Sequence, residues 1–328
     1  MMRWHQYLKL ILATAGLLTW PAWANSQTYP SHAITSVVGY AAGGPTDTIA
    51  RIVAEGMRRS LGQPVIVENV TGASGSIGTG RVVRAVPDGY TLNIGDISTH
   101  VFNGAIYSLQ YDVLKDFEPV ALLPSNPSLI LGSNKVPAKD LRELIVWIKA
   151  NPDKVTAATA GVGSPSHVSL ARFQAATETR LRLVPYRGAA PAMLDVIGGQ
   201  VDITFNQIAN ALPQVRSGKL KVYAVTSKTR VAAAPDIPTV DEAGLAGFYA
   251  SAWRGLWAPK GTPKDIIAKL NKAVGEALAD QAVRERLAGM GEEIPLRKLQ
   301  TPEALGAFQK AEIEKWWPVI KAANIKAE

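Results

Sequence analysis

Residues 34–47 read Ile34-Thr35-Ser36-Val37-Val38-Gly39-Tyr40-Ala41-Ala42-Gly43-Gly44-Pro45-Thr46-Asp47, and this stretch decides the fold. Its first five residues form a short β-branched run of strand character. The glycines that follow permit a tight turn, and Thr46 or Asp47 can cap a helix. Ile49, Ile52, Val53 and Met57 then lie on one helical face, predicting a helix over Thr46–Ser60. Strand, glycine turn and amphipathic helix in that order open a βα unit.

The same grammar repeats outward. Strands are expected at Val65–Glu68 and Thr91–Gly95, with a helix at Gly75–Ala85 between them. Farther on, Leu129–Gly132 precedes a helix at Ala138–Lys149, and Val155–Thr159 precedes Pro165–Thr177. Leu183–Pro185 precedes Pro191–Ile197, and Val201–Phe205 precedes Ile208–Arg216, with Lys221–Val225 after it. Beyond Trp257 only helices are expected, at Lys264–Ala279, Val283–Ala288 and Pro302–Ala323. The alternation predicts an α/β fold of mostly parallel sheets flanked by helices.

The chain has 328 residues, room for about two domains. At 47% hydrophobic and 19% charged it resembles a soluble globular protein, which excludes disorder, collagen and coiled coil. The absence of cysteine excludes disulfides, thiolate nucleophiles and metal–thiolate sites. The histidines at 32, 100 and 167 lie far apart in sequence, so no metal or other cofactor is expected.

The N-terminus fixes the expected compartment. Arg3 and Lys9 precede the uncharged apolar run Leu10–Trp20, and Ala22-Trp23-Ala24 fits the small-x-small cleavage rule. A spanning helix needs about 20 apolar residues, so the segment reads as a secretory signal cut after Ala24 and the protein as periplasmic. The net charge of +8 falls to +6 without Arg3 and Lys9. The remaining basic residues are scattered, as on solvated helix faces. They form no stripe interleaved with aromatics, so nucleic acid is not an expected partner.

Two motifs suggest catalysis and fall short. Thr71-Gly72-Ala73-Ser74-Gly75-Ser76-Ile77-Gly78 resembles a dinucleotide-binding glycine signature, but Ser76 stands where its middle glycine belongs. Gly161-Val162-Gly163-Ser164-Pro165-Ser166-His167 brings serine and histidine together, which makes an exported serine hydrolase-like enzyme the competing reading. Pro165 breaks the G-x-S-x-G elbow, however, and neighbours in sequence are not neighbours in a triad.

The ends of the expected strands carry the functional signal. They are followed by 39–47, by Asp96-Ile97-Ser98-Thr99-His100, by Ala160-Gly161-Val162-Gly163-Ser164, by Tyr186-Arg187-Gly188 and by Asn206-Gln207. Ligands of open parallel sheets sit beyond the carboxyl ends of the strands. Small residues let backbone amides approach a ligand, and helix N-termini favour a negative group. His167 and Asn206 join the candidates because each follows a strand end.

The sequence resembles the Bug-type extracytoplasmic solute receptors of tripartite tricarboxylate transport systems. The matching residues are Gly43-Gly44 with Asp47 and Ala50-Arg51, Val67-Glu68-Asn69, Gly72-Ala73-x-Gly75, and Pro87-Asp88-Gly89-Tyr90-Thr91-Leu92. They continue with Val184-Pro185-Tyr186-Arg187-Gly188, Gly198-Gly199-Gln200-Val201-Asp202 and Ile237-Pro238-Thr239. The last is Trp253-x-Gly255-Leu256-x-Ala258-Pro259-x-Gly261-Thr262-Pro263.

The resemblance implies a two-lobed periplasmic-binding fold, a Venus flytrap with no catalytic role. One lobe would join residues 25–124 to 229–328, and the other would hold 125–228. A small carboxylate would be gripped by Tyr40, Ala41, Gly43, Gly44 and Asp47 on one side and by Gly161, Val162, Gly163 and Ser164 on the other. Ser98, Thr99 and His100 would meet the variable end of the ligand, and Arg187 a distal acid group. Trp253, Trp316 and Trp317 are expected to pack rather than bind. The implied partners are a membrane permease or a sensor, and the implied state is a monomer.

Overall fold

The computed structural model describes residues 29–327, so the expected secretory signal and its cleavage after Ala24 lie outside the described residues. The chain opens as its sequence requires. Strand β1 (Ile34–Val38) leads through the glycine turn into helix α1 (Pro45–Leu61), which buries Ile49, Ile52, Val53 and Met57. Helix α1 ends at Gly62, whose φ of 70° lets its amide reach back to the Arg58 carbonyl. Strand β2 (Val65–Asn69), helix α2 (Ser76–Val83) and strand β3 (Thr91–Asp96) follow. A wide helical turn at Ser98–Phe102 then runs into the short helix α3 (Asn103–Ile106). Strand β4 (Phe117–Gly132) is 16 residues long.

Next come α4 (Leu141–Ala150), β5 (Thr156–Thr159), α5 (Pro165–Thr177), β6 (Arg182–Pro185) and α6 (Ala189–Ile197). They lead to β7 (Ile203–Gln207), α7 (Ile208–Arg216) and β8 (Lys221–Val225). After an irregular stretch, β9 (Ser251–Pro259) precedes the helices α8 (Lys264–Ala279), α9 (Gln281–Gly289) and α10 (Pro302–Ala322). Asp140, Ser164, Asp280 and Thr301 each cap the helix that follows with a side-chain oxygen, the arrangement expected of such residues at that position.

The strands form one curled sheet in the order β2-β1-β3-β9-β4-β7-β5-β6, with β8 also paired to β4. The outer pairs are parallel: β1 with β2 and β3, and β5 with β6 and β7. The centre differs from the parallel expectation, because β9 runs antiparallel to β3 and β4, and β4 antiparallel to β7 and β8. The first part of β4 pairs with β9 and its last part with β7 and β8, so this one strand serves both halves of the sheet.

Helices cover both faces of each half, giving separate apolar clusters. In the first half, α1 and α8 approach so closely that a Cβ on Gly56 would stand 2.5 Å from Cβ of Ala277. Sequence reading places the return to this half at about residue 229. Instead, Val231, Ala234 and Ile237 pack in the cluster of Leu129, Ile208 and Val225, and Val240 and Phe248 in that of Phe173 and Phe205. The chain covers the second half until β9 begins, because this stretch has no helix or strand of its own and its apolar residues find cover only there. Among the described residues no helix is long and apolar enough to cross a membrane.

Candidate functional site

The turn after β1 is held from behind by Asp47. Its side chain is nearly enclosed, and Oδ2 accepts the Gly43 amide at 2.8 Å. Arg51 forks onto both carboxylate oxygens at 2.9 Å, and the Asn69 amide donates to Oδ1 at 2.8 Å and to the Tyr40 carbonyl at 2.9 Å. Burial pushes the Asp47 carboxyl up, but the bonds from Arg51, Gly43 and Asn69 outweigh it and hold the group below the usual range. Asp47 thus faces its own loop and shapes it. The N-cap position itself is Gly44, which has no side chain to offer. The amides of Ala41, Ala42, Thr46 and Asp47 donate to no other described residue. The last two open the helix, where no intrahelical acceptor exists.

Asp96 organises the turn after β3. Its Oδ1 accepts the Tyr40 hydroxyl at 2.8 Å and the amides of Ser98 and Thr99 at 3.0 and 3.1 Å, while Thr99 Oγ1 accepts the Asp96 amide. Burial raises the Asp96 carboxyl, and burial together with Asp96 raises the Tyr40 phenol. Tyr40, Ser98 and Thr99 are therefore brought together around the Asp96 carboxylate.

His100 is not with them. It is fully enclosed behind the turn, stacked on Trp257 at 3.5 Å between centroids, with Nε2 2.7 Å from Asn93 Oδ1. Burial pushes its imidazole down to about 3. The expectation that His100 meets a ligand finds no support in this position: the wide turn packs His100 onto the indole, while Ser98 and Thr99, themselves buried, turn their amides to Asp96.

In the second half, the turn after β5 makes the facing wall. Ser164 caps α5 by accepting the His167 amide, and the Gly163 amide donates to His167 Nδ1 at 3.2 Å. Ser166 Oγ accepts the Ala160 amide at 2.9 Å. Ser164 and His167 thus form a local helix cap. The two side chains are not joined as nucleophile and base, and burial holds His167 below the usual imidazole range. The amides of Val162 and Ser166 donate to no other described residue. Tyr186 brings its carbonyl close to Gly161, where an added Cβ would stand 3.1 Å away. Arg187 beside it is exposed and makes no ion pair with a described residue. Asn206 is almost buried near the end of β7.

The two walls meet. Ser98 Oγ lies 3.4 Å from the Gly163 carbonyl, and a Cβ on Gly163 would stand 3.1 Å from Cδ1 of Ile106. Below them Val168 and Ala171 of α5 share one apolar cluster with Ile97, Val101, Phe102 and Trp316. Helix α10 supports this floor through Trp317 Nε1 to the Val101 carbonyl and Gln309 to the His100 carbonyl. Trp253 and Trp316 both donate to Glu312, and both are buried packing residues. The crevice thus offers unpaired amides from two helix starts and an adjacent free cation. Amides left unpaired at helix starts suit an anion.

The glycine-rich segment 71–78 serves packing. A Cβ on Gly39 would stand 2.6 Å from Gly75 Cα, and one on Gly78 2.6 Å from the Val70 carbonyl. Sequence reading gave no role to Asn69, Asp96 or Arg254. The signal for Asp96 was present: an acid at a strand end, followed by Ser and Thr two and three residues on, is the pattern of a self-capped turn.

The tripartite tricarboxylate transporter family receptor model matches residues 49–325. A protein of Agrobacterium vitis encoded in the TAR-I ttuE-ttuC' intergenic region is 42% identical over 314 residues, covering 96% of this chain and 90% of that one. The solved structure of the periplasmic binding protein BugD is similar at 41% identity with a TM-score of 0.82, covering 91% of this chain and all of that one. MatC from Rhodopseudomonas palustris with bound malate is similar at 41% identity and a TM-score of 0.82, covering 89% of this chain and all of that one. Motif order, site geometry and these likenesses agree that the chain belongs to the tripartite tricarboxylate transporter receptor family, as a solute-binding receptor and not an enzyme.

Proposed function

We propose that this receptor works in the periplasm, captures a small organic carboxylate in the crevice between the two sheet halves, and presents it to a membrane permease or a sensor. The single observation that carries this reading is the meeting of the two halves at Ser98 and Gly163, 3.4 Å apart, beside turns after β1 and β5 that each leave amides unpaired. Ala41, Ala42, Thr46 and Asp47 offer such amides from the first half, and Val162 and Ser166 from the second. Amides at two helix starts bind an anion without a lysine clamp.

Tyr40, Ala41, Gly43 and Gly44 form one jaw, shaped by Asp47; Gly161, Val162, Gly163 and Ser164 form the other. Ser98, Thr99, Asn206 and Arg187 reach the distal part of the ligand. One lobe is built on β1, β2, β3, β9 and the start of β4, and the other on the end of β4 and β5–β8. A ligand that contacts both favours the closed state by its differential affinity. The malate in the R. palustris relative supports the ligand class.

A thermal-shift screen of mono-, di- and tricarboxylates, followed by titration calorimetry, tests the reading. A carboxylate is expected to raise Tm and to bind with one-to-one stoichiometry. Shifts with neutral sugars and none with carboxylates would sink the ligand class.

A further inference from the structure

Arg254 is fully enclosed at the junction of the two sheet halves. On β9 it stands opposite Asp96 of β3 on one side and Leu123 of β4 on the other. Nη1 donates to Glu292 at 3.1 and 3.3 Å and to the Pro124 carbonyl at 3.4 Å, where β4 passes between the halves. Nη2 donates to Gln207 Oε1 at 2.8 Å. Gln207 ends β7 and adjoins Asn206, while Asp96 ends β3 and carries Tyr40, Ser98 and Thr99.

One guanidinium therefore connects the strand ends that form both walls of the crevice. Stability alone does not account for it, because a buried ion pair is often matched by well-packed apolar residues of the same volume. The planar fork does account for it: Nη1 and Nη2 hold acceptors on three separate segments at fixed, spread positions, where an ammonium would have to gather all three about one nitrogen.

We propose that Arg254 is a positioning residue of the ligand crevice: through Gln207 and beside Asp96 it holds the ends of β3 and β7 in the arrangement that lets both walls share one ligand. It touches no ligand itself. The proposal rests on the carboxylate reading of the crevice for its affinity readout only.

Removing the Arg254 charge would leave Glu292 buried without a counter-charge, so the test is made with Gln207→Ala and Arg254→Lys. The chain has no cysteine, so spin labels on Arg84→Cys and Lys149→Cys, both exposed and one on each half, report the distance between halves by pulsed electron resonance. Both variants are expected to broaden the ligand-free distance distribution. They are also expected to weaken binding of the carboxylate found by screening at least tenfold, with Tm within about 3 °C of the parent. A distribution and a Kd equal to the parent's overturn the proposal. So does weaker binding with an unchanged distribution, which makes Gln207 a direct ligand contact. If the parent binds no carboxylate, the ligand reading fails and the distance distribution alone decides.

Discussion

The imidazole of His100 lies on the indole of Trp257, with centroids 3.5 Å apart and planes 16° apart. Its Nδ1 is buried without a hydrogen-bond partner, so the ring is held neutral and its folded pKa is about 3, against about 6.5 unfolded. The unfolded chain binds the proton more readily, so this contribution is complete above pH 6.5 and is lost as pH falls from 6.5 towards 3. His100→Gln is expected to lower stability at pH 7 and to flatten the acid limb. Its loss between pH 6.5 and 4 should be smaller than the parent's by about 3 kcal/mol. Denaturant melts across that range check it; an unchanged slope would show that the ring takes up its proton as readily in the folded chain as in the unfolded one.

Asp47 carries the first wall. Asp47→Ala leaves the Gly43 amide and the Asn69 side chain without their acceptor, at a cost of about 2 kcal/mol in stability. The larger effect is expected on binding, because the loop that presents the amides of Ala41 and Ala42 loses its anchor. Calorimetry should show at least a tenfold weaker Kd for the screened carboxylate; full affinity in a destabilised variant would confine Asp47 to the scaffold.

Gly163 tests the opposite wall. Its φ is +75°, where alanine is strained by about 1 kcal/mol, and an alanine Cβ would press on Ile106 Cδ1. Gly163→Ala is expected to weaken binding three- to tenfold. Ile106→Val in the same chain should recover the steric part and leave the backbone part, a coupling that a double-mutant cycle measures. An equal loss in the single and double variants would mean the two walls do not meet in the ligand complex.

Arg187 is exposed and has no ion-pair or side-chain hydrogen-bond partner among the described residues, so its removal breaks neither. Arg187→Gln is expected to leave Tm within about 2 °C of the parent. If the guanidinium meets a distal acid group, affinity falls at least tenfold for dicarboxylates and stays level for monocarboxylates. Equal losses for both would place Arg187 at the shared carboxylate instead.

The outer elements of the fold were legible because each strand or helix carries its own pattern. Ile34–Val38, the helix after it and Pro165–Thr177 came within two residues of the observed limits. The central strands were not legible. The start of β4 carries Pro119, Pro124 and Pro127, which read as breaks, and Ala252–Pro259 is buried throughout and shows no alternation. Their pairing joins residues more than a hundred positions apart, which no local pattern reports.

The candidate site divides the same way. The glycine turns and serines announced themselves by composition. His100 did not announce its inward turn, because the sequence Ser-Thr-His does not reveal which of the three a wide helical turn sets against Trp257. Arg254 and Gln207 become partners only when both halves of the sheet are assembled.

Strand β9 is inserted between β3 and β4, although it is made after all the other strands. A chain emerging from its N-terminus therefore exposes the inner edge of β3 and the first part of β4 until residue 259 is out. Closure of the sheet is postponed to the last quarter of the chain, and the helices α8 to α10 that cover the first half come later still.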